Sequence, residues 1–543
     1  MASRYCRLLT GIIVACLASI AGAAGEAAPQ PAAASAASRE ASMHDPALHL
    51  FVDDYHIRNA FAMKRVFGKL DKQPHPLVED LPDRRACWAT VMRDADGKFR
   101  MWYESVYRHT LSASGVWGRG EENGYFPDRH PQAIPETQFA CIGYAQSDDG
   151  VTWTMPRLGV VDYRGSRDNN ICMDGSTAFK QYDGALSGMD GVSVVRDEGA
   201  APQERYKMIC HWESVHCWDN EVSKLGRSEA YIKRMWEARA KYVTSSPDGI
   251  HWTAPLVRIK AASGGGDYCG VTRDDRHGGY WFNDRARAGV PGIPGIRTAG
   301  LCQSRDLYNW PAGLEQVFPV GEWEDFGRKY EHHGMVPFTY GDQDLGFLEI
   351  SNPKCPIMGL LASHRDDQRW QLANGHNPLL ETGTKGSLDD TIATATRNAP
   401  IRMGDKLYIY YNGRRYTDDP ATTSSNIFLA TIRLDGFAGM TVDSDASKRY
   451  GKPAALQTHP LTVTQDELQI NIAGHGGTAR VSLADENAGP LPGYTLDDCL
   501  PLPEDATRAV VRWKNHGDVR GLKGQRVLVL IQLESGTVYS VRL

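Results

Sequence analysis

The sequence has no large excess of charge of either sign. It contains 60 lysines and arginines against 66 aspartates and glutamates, so the formal net charge is −6, with a pI of about 6.3. Nucleic acids and anionic membrane surfaces attract strongly basic proteins, so this balance gives no support to either kind of partner. Hydrophobic residues make up 41% and charged residues 23%, as in ordinary globular proteins.

Long apolar runs are absent after the first 23 residues, so we expect no transmembrane segment. Arg4 and Arg7 precede an apolar run at 8–20 that is too short to span a bilayer comfortably. Residues 21–23 (Ala-Gly-Ala) are typical of a signal cleavage site. This order predicts a signal peptide over 1–23 and a periplasmic or secreted protein.

The same region allows a second interpretation, as a lipoprotein signal. Residues 13–16 (Ile-Val-Ala-Cys) resemble a lipobox, in which Cys16 carries a lipid anchor. Residues 24–44 are rich in Ala, Pro and Ser and are expected to form a linker, which becomes a tether if the chain is anchored. We favour free export over the anchor.

Cysteine is scarce and scattered. Two of the 11 cysteines, Cys6 and Cys16, lie in the predicted signal, and the others form no Cys-x-x-Cys pair. Structural zinc sites commonly use such close pairs, so we do not expect one here. The sequence indicates no other metal and no cofactor, and we expect neither.

What the sequence does contain is a repeat with the pattern Ser-x-Asp-x-x-x-Trp. Three copies match it in full, a fourth has one extra residue and a fifth is degenerate. The copies are Ser147/Asp149/Trp153, Ser246/Asp248/Trp252, Ser304/Asp306/Trp310, Ser363 to Trp370, and residues 428–437. Asp-Gly steps within them supply the positive-φ positions of tight turns, so we interpret the Ser, Asp and Trp of each copy as structural.

A short aromatic strand precedes each copy of the repeat. These strands are residues 99–105, 205–214, 279–285, 345–350 and 406–413. An apolar strand, a turn and a second apolar strand in succession are typical of a β-meander. Five copies at a spacing of roughly sixty residues indicate radial repetition. We therefore predict an all-β fold with a five-bladed β-propeller over 45–438.

The two ends of the propeller raise separate expectations. The fifth blade lacks an outer strand after 427–434, and we expect the N-terminal segment to supply it, from 49–55 or 64–70. Beyond residue 438 the pattern changes to short alternating strands between Gly, Pro and Asp turns. Residues 439–543 are predicted to form a separate β-sandwich.

Several motifs support a resemblance to a known family. They are residues 50–55 (Leu-Phe-Val-Asp-Asp-Tyr), 99–103 (Phe-Arg-Met-Trp-Tyr), 169–171 (Asn-Asn-Ile), 387–389 (Ser-Leu-Asp) and 492–494 (Pro-Gly-Tyr). With these motifs, its repeat and its size, the chain resembles the five-bladed propeller superfamily of glycoside hydrolases, families 32 and 43. The likeness is greatest to a branch labelled glycosyl hydrolase family 32-like. The resemblance implies a carbohydrate substrate and hydrolysis by carboxylate acid/base chemistry.

The chain also departs from the pattern of that superfamily. Family 32 hydrolases carry an Asn-Asp-Pro nucleophile motif on the first inner strand, which here is residues 87–92 (Cys-Trp-Ala-Thr-Val-Met) and has no carboxylate. Neither an Arg-Asp-Pro nor a Glu-Cys-Pro motif occurs. The usual catalytic triad therefore cannot be transferred intact.

Acidic residues recur where the inner strands of the blades begin, at one mouth of the propeller axis. They are Asp190 in blade two, Asp267 in blade three, Glu331 in blade four, and Asp389 and Asp390 in blade five. A glycosidase needs one carboxyl to protonate the leaving oxygen and another to attack or to activate water. We predict Glu331 as the acid, and Asp190 and Asp267 as base, nucleophile or transition-state stabiliser.

The predicted substrate-binding residues surround that mouth: Trp88, Arg285, His332, His333, Asp389 and Asp390. For any one acid before a strand, a turn-forming role is the alternative. The histidines beside Tyr330, with Arg285 or Arg287, would also suit a polysaccharide lyase that removes a proton next to a neutralised uronate carboxylate. A non-catalytic carbohydrate-binding propeller is the third hypothesis.

Overall fold

The fold is built almost entirely from β-strands. The computed structural model describes residues 42–79, 84–107, 140–163, 165–174, 188–213, 239–254, 256–259, 268–288, 296–311, 313–318, 331–352, 355–366, 368–417 and 423–543, with four isolated positions between 229 and 237. Helix α1 (Ser444–Tyr450) begins after Asp443, whose side chain accepts hydrogen bonds from the amides of Asp445 and Ala446. No helix in these ranges is both long enough and apolar enough to cross a bilayer.

The strands, in chain order, are β1 (Leu48–Leu50), β2 (Ile57–Phe61), β3 (Met63–Phe67), β4 (Asp71–Lys72), β5 (Arg84–Arg93), β6 (Phe99–Tyr107), β7 (Ala140–Ser147), β8 (Ile171–Asp174), β9 (Gly188–Arg196), β10 (Tyr206–Glu213), β11 (Ala240–Ser246), β12 (Val257–Arg258), β13 (Gly270–Arg273), β14 (Tyr280–Ala288), β15 (Ile296–Ser304), β16 (Glu315–Gln316), β17 (Glu331–Tyr340), β18 (Gln343–Asn352), β19 (Cys355–His364), β20 (Gln371–Leu372), β21 (Ile392–Ala395), β22 (Ile401–Met403), β23 (Lys406–Arg415), β24 (Ser424–Arg433), β25 (Ala438–Val442), β26 (Ala454–Thr458), β27 (Leu461–Thr462), β28 (Gln469–Ala473), β29 (Arg480–Asp485), β30 (Asp505–Val510), β31 (Arg526–Leu533) and β32 (Thr537–Arg542).

Five antiparallel sheets form the blades of a propeller, as the repeat predicts. In order from the inner to the outer strand, they are β5-β6-β7-β8, β9-β10-β11-β12, β13-β14-β15-β16, β17-β18-β19-β20 and β21-β23-β24-β4. The strand β22 pairs with β23 at the edge of blade five. The second strand of each blade is the aromatic one that precedes the Ser-x-Asp repeat.

Polar contacts join each blade to the next around the ring. The amide of Val194 in blade two donates a hydrogen bond to Thr90 Oγ1 of blade one (3.3 Å). The amide of Val271 in blade three donates to Ser193 Oγ of blade two (3.1 Å). The hydroxyl of Thr272 in blade three donates to the carbonyl of Pro337 in blade four (2.6 Å). Blades four and five meet where Ile357 pairs with Ile392, and blade one returns to blade five through Ala89 N to Asn412 Oδ1 (3.3 Å). The ring is therefore continuous.

The N-terminal segment closes the fifth blade, but with a strand other than the two predicted. The outer strand is β4, which pairs with β24, and the amides of residues 77 and 78 continue the contact to Ile427. Residues 49–55 and 64–70 instead carry β1 and β3, which pair with β32 and β25. The reason is burial on two sides: Leu48 and Leu50 pack in the core of blades four and five, while Phe51 packs in the sandwich core.

The Ser-x-Asp turns are structural elements that fasten neighbouring blades. Asp149 Oδ1 accepts hydrogen bonds from the amides of Val151 and Thr152, both at 2.7 Å. The carbonyl of Gly150 accepts a hydrogen bond from Tyr410 of blade five at 2.8 Å. Gly150 has a φ of +77°, and a Cβ there would lie 2.6 Å from that hydroxyl, so no larger residue fits.

Residues beyond the fifth blade form two sheets around a common core. One sheet has the order β3-β25-β32-β28-β30 with β1 on β32, and the other β2-β26-β31-β27 with β29 on β31. Trp513 is fully buried between them and donates a hydrogen bond to the carbonyl of Val481 at 2.9 Å. Because β1, β2 and β3 belong to these sheets, the sandwich draws strands from both ends of the described chain.

Candidate active site

Titratable side chains converge on the propeller axis from the second strands of the blades. Glu104 (β6), His211 (β10), Asp284 (β14) and Glu349 (β18) are each at most 3% exposed. Each inner strand that pairs with Glu104, His211 or Glu349 has a bulge, where the pairing register shifts by one residue. His211 and Glu349 lie at their bulge, and Glu104 lies next to its own. A bulge re-aims the side chains beside it and is a frequent neighbour of active sites.

Two bulge residues meet at this end of the axis. The rings of Trp88 (β5) and His333 (β17) are stacked with centroids 6.1 Å apart and planes 19° from parallel. Trp88 has a φ of +48°, a conformation that costs energy for a residue with a side chain. Both side chains are half-buried, so they are the part of the group that a ligand can reach.

Two buried arginines of blade five flank the tryptophan. The guanidinium of Arg414 lies 4.7 Å from the centroid of the Trp88 ring, and that of Arg397 lies 5.4 Å from it. Arg397 Nη1 also donates to the carbonyls of Val192 and Cys269 at 3.4 and 3.2 Å. Arg397 therefore reaches from blade five to blades two and three, which places its guanidinium at the axis.

Glu349 is the carboxyl directly behind His333. Its Oε2 lies 3.7 Å from His333 Nδ1, and its Oε1 accepts a hydrogen bond from the hydroxyl of Tyr268 at 3.3 Å. Burial raises the pKa of Glu349 to about 7, although the charge of Arg397 opposes this rise. A carboxyl of this kind can carry a proton at neutral pH.

Asp284 occupies a separate buried contact on the same axis. Its Oδ2 lies 3.2 Å from Lys241 Nζ, which in turn lies 3.2 Å from His211 Nδ1. Burial raises the pKa of Asp284 to about 6, against the opposing charge of Lys241. Asp284 and Lys241 are each fully buried, so this pair stabilises the centre rather than facing the mouth.

The predicted catalytic residues fall at different places. Glu331 is the half-buried first residue of β17, two positions before His333. Asp190 lies in β9, where its backbone pairs with that of His211. Asp267 lies outside the described residues. The roles predicted for all three stay predictions.

Of the predicted substrate-binding residues in blades one, three and four, Trp88 and His333 lie at the axis. Arg285 is half-buried next to Asp284, and its charge helps to hold down the pKa of Glu349. His332 faces the other way, since its Nδ1 lies 3.2 Å from Thr298 Oγ1 and its ring packs against Phe318. Burial lowers the pKa of His332 to about 4, so it stays neutral.

The blade-five acids take part in local contacts. Asp389 accepts hydrogen bonds from Lys72 (2.8 Å), Ser387 (2.7 Å) and Tyr411 (3.1 Å). Asp390 accepts hydrogen bonds from Thr391 Oγ1 and from the amide of Gly386. These contacts organise the loop before β21, as the turn-forming alternative expects, and the substrate role of both acids stays a prediction.

The site includes residues that the sequence did not single out: Glu104, Asp284, Glu349, Arg397 and Arg414. A signal for the three acids was present, because each closes an aromatic run, in Trp-Tyr-Glu, Phe-Asn-Asp and Phe-Leu-Glu. Alternation along a strand puts such a residue on the face opposite its buried neighbour. These three acids lie on the second strands of their blades, whereas the acids predicted from the sequence lie where the inner strands begin.

Comparison with known proteins gives only remote likenesses. No protein-family model matches the chain, and no curated protein matches it. Among solved structures, one described as a glycoside hydrolase is 15% identical with a TM-score of 0.41, over 66% of this chain and 92% of the other. A thermostable family-43 glycoside hydrolase is 13% identical with a TM-score of 0.37, over 66% and 93%.

A third solved structure has a different chemistry in its description. It is an N-acetylgalactosamine deacetylase from F. plautii in complex with blood group B trisaccharide, 12% identical with a TM-score of 0.39, over 69% of this chain and 97% of the other. One fold can host many different reactions. The function has to be inferred from the residues at the axis.

Proposed function

We propose that this protein is an exported glycoside hydrolase that cleaves an oligo- or polysaccharide at the mouth of the propeller axis. The observation that carries the proposal is the contact between His333 Nδ1 and Glu349 Oε2, at 3.7 Å. It joins a group that reaches the mouth to a buried carboxyl whose pKa is close to neutral. Proton transfer between two such groups needs an approach to about 2.6–3.2 Å, so the contact has to shorten when substrate binds.

His333 is the member of this pair that can touch a substrate. Its side chain is 16% exposed, against 1% for Glu349. We assign His333 the role of proton donor to the leaving glycosidic oxygen, and Glu349 the role of the positioning residue that supplies and holds the proton. The half-buried indole of Trp88 beside it offers an apolar platform for a sugar ring.

A hydrolase also needs a group that attacks the anomeric carbon or activates water. We assign this role to Glu331, in place of the acid role predicted for it from the sequence, because His333 takes the acid role and Glu331 is a half-buried residue of the same strand. Asp190, predicted for the same task, lies in β9, and Asp267 lies outside the described residues. The separation of the carboxyl groups decides between retention and inversion, at about 5 Å for retention and roughly 6.5–9.5 Å for inversion.

The test is a screen of plant, algal and bacterial glycans for release of reducing ends, followed by kinetics of three variants. His333→Gln and Glu331→Gln are expected to lower kcat by ~10²–10⁴-fold. Glu204→Gln, which changes an exposed glutamate in the turn before β10, is the matched control and should leave kcat unchanged. Full activity of both active-site variants contradicts the assignment, and tight binding without turnover of any glycan favours a binding protein.

A second candidate is a polysaccharide lyase on a uronate-containing glycan, which one observation favours. Arg397 and Arg414 lie beside Trp88, where they could neutralise a substrate carboxylate while His333 abstracts the neighbouring proton. A lyase leaves an unsaturated sugar that absorbs in the ultraviolet, and a hydrolase does not. The pH dependence also differs, since a base must be deprotonated and an acid protonated.

A further inference from the structure

A second group of titratable side chains lies at the other end of blade four. His49 belongs to β1, His56 precedes β2, and Asp342 is in the tight turn between β17 and β18. His49 Nδ1 lies 3.0 Å and His56 Nε2 lies 2.7 Å from the same oxygen, Asp342 Oδ2. The histidines are 8% and 5% exposed. All three donor atoms lie within 4.8 Å of one another.

Both imidazoles contact the same carboxylate oxygen. His56 Nε2 is buried and lies 2.7 Å from Asp342 Oδ2, in an ion pair whose angle is poor for a hydrogen bond. The two imidazole rings are also crowded, with centroids 4.5 Å apart. Two imidazole nitrogens and a carboxylate oxygen within 4.8 Å of one another are donors of the kind that zinc takes.

We propose that His49, His56 and Asp342 bind one zinc ion, with a water molecule as the fourth ligand. Zinc takes histidine nitrogen and carboxylate oxygen at about 2.0–2.2 Å, in a tetrahedron whose donors are therefore about 3.3 Å apart. The observed separations of 2.7 and 3.0 Å from Asp342 Oδ2 need to open by only about half an ångström. Calcium and magnesium prefer all-oxygen sites, so two imidazoles disfavour both.

The contacts around the carboxylate fit a metal ligand. Asp342 Oδ1, the oxygen away from the histidines, lies 3.3 Å from Arg365 Nη1, and Arg365 Nε lies 3.4 Å from Asp53 Oδ2. An outer partner of this kind fixes the orientation of a ligating carboxylate. Asp53 offsets the charge of Arg365, which would otherwise weaken the binding of a cation.

The location indicates a structural ion. The ligands are 293 residues apart along the chain, from His49 to Asp342, so a bound ion would tie the sandwich strand β1 to the hairpin of blade four. The strand β17 runs for ten residues between this turn and Glu331, so the site lies at the opposite end from the axis mouth. Zinc bound only by the folded chain stabilises it. The inference is independent of the proposed function.

The test uses the tag-free chain from residue 24 onward, stripped with chelator and titrated with zinc chloride by calorimetry. We expect one zinc per chain and a higher midpoint of thermal unfolding when zinc is present. His56→Gln and Asp342→Asn should each weaken zinc binding by more than the ~10–100-fold that loss of an outer partner of a ligand costs, and should remove the thermal response. The matched control is His459→Gln, whose exposed side chain lies outside the group although its amide donates to the carbonyl of His56.

Three binding results would overturn the proposal, as would the cobalt spectrum described below: no zinc bound by the wild-type chain, equal zinc binding by the ligand variants, or preferential binding of calcium. If the variants do not fold, the wild type alone decides. Cobalt in place of zinc should give the intense visible absorption of a four-coordinate ion, and a weak six-coordinate spectrum would exclude this site.

Discussion

The stacked rings of Trp88 and His333 join blade one to blade four across the propeller axis, 6.1 Å apart. Each ring sits where an inner strand bulges, and each is half-buried at the mouth. The two bulges are therefore what directs an aromatic platform and an imidazole at the same space. Buried behind them are the carboxyl of Glu349 and the guanidinium groups of Arg397 and Arg414.

Trp88 yields a prediction about both binding and stability. Trp88→Ala and Trp88→Gly each remove the platform and should raise KM by ~10-fold or more, from the loss of about 1.5 kcal/mol of stacking. Because φ at this residue is +48°, glycine should be the more stable replacement, by about 1 kcal/mol over alanine, the reverse of the usual order. Urea unfolding of the two variants measures the difference. Equal stability of the two would show that position 88 relaxes to a negative φ.

Glu349 should make the stability of the protein depend on pH. Burial raises its pKa to about 7, so the folded chain keeps a proton that the unfolded chain loses near pH 4.5. The folded state therefore binds more protons between these values, and the free energy of unfolding falls as pH rises through this range. The difference between the two pKa values corresponds to about 3 kcal/mol, lost by about pH 7.

Glu349→Gln should remove this pH dependence. The free energies of unfolding of the wild type and the variant, compared at pH 4.5 and 7.5, should differ in their change by about 3 kcal/mol. Asp284, whose pKa is raised to about 6, contributes in the same direction in both proteins and so cancels in the comparison. Parallel pH profiles would show that Glu349 is ionised in the folded protein and cannot supply a proton.

The repeat made the propeller predictable, because a tight turn followed by Trp at a fixed spacing can be seen in the sequence. The closing strand was not predictable in the same way. Residues 48–67 alternate as any strand does, and only their packing between two cores, through Leu50 and Phe51, assigns them to the sandwich. A strand of two residues, β4, carries too little pattern to be found.

The candidate site also contains some residues that the sequence predicts and others that it does not. Trp88 and His333 follow from counting inner strands. The sequence does not predict Arg397 in the same way, because its contacts with the carbonyls of Val192 and Cys269 join residues that are 128 or more positions apart. A buried arginine is unfavourable until such partners surround it. The sequence therefore indicates where the mouth lies, but not which charges surround it.

Asp149 should matter for stability and not for activity. Its side chain is exposed and accepts two backbone hydrogen bonds within the turn, and these bonds, the one from Thr152 first, lower its pKa to about 2. Asp149→Ala should cost about 1 kcal/mol of unfolding free energy with kcat unchanged. Asp149→Asn keeps the acceptor oxygen and should cost less. The part of the unfolding free energy that comes from the ionised Asp149 carboxylate should be lost as pH falls from 3.8 towards 2. A fall in kcat in either variant would place this turn at the site.

Lys72 and Asp389 test whether the blade-five acid closes the ring or binds substrate. Lys72 lies in the closing strand β4, and its Nζ is 2.8 Å from Asp389 Oδ2, in a contact where the carboxylate is 9% exposed and the lysine 24%. Lys72→Met leaves this nearly buried charge without its cation and should cost about 2–3 kcal/mol, less than the full cost of a wholly buried pair because water reaches the lysine.

The double variant Lys72→Met/Asp389→Asn separates the two roles. It removes the orphaned charge, and the amide oxygen can still accept one of the two hydrogen bonds, from Ser387 or from Tyr411, while the amide NH2 can donate to the other hydroxyl. The double variant should therefore recover part of the stability that Lys72→Met loses. If the losses of unfolding free energy in the two single variants differ in sum by 1 kcal/mol or more from the loss in the double variant, Lys72 and Asp389 are energetically coupled. If instead Asp389→Asn alone leaves the unfolding free energy unchanged and lowers kcat/KM, the acid serves the substrate and not the closure of the ring.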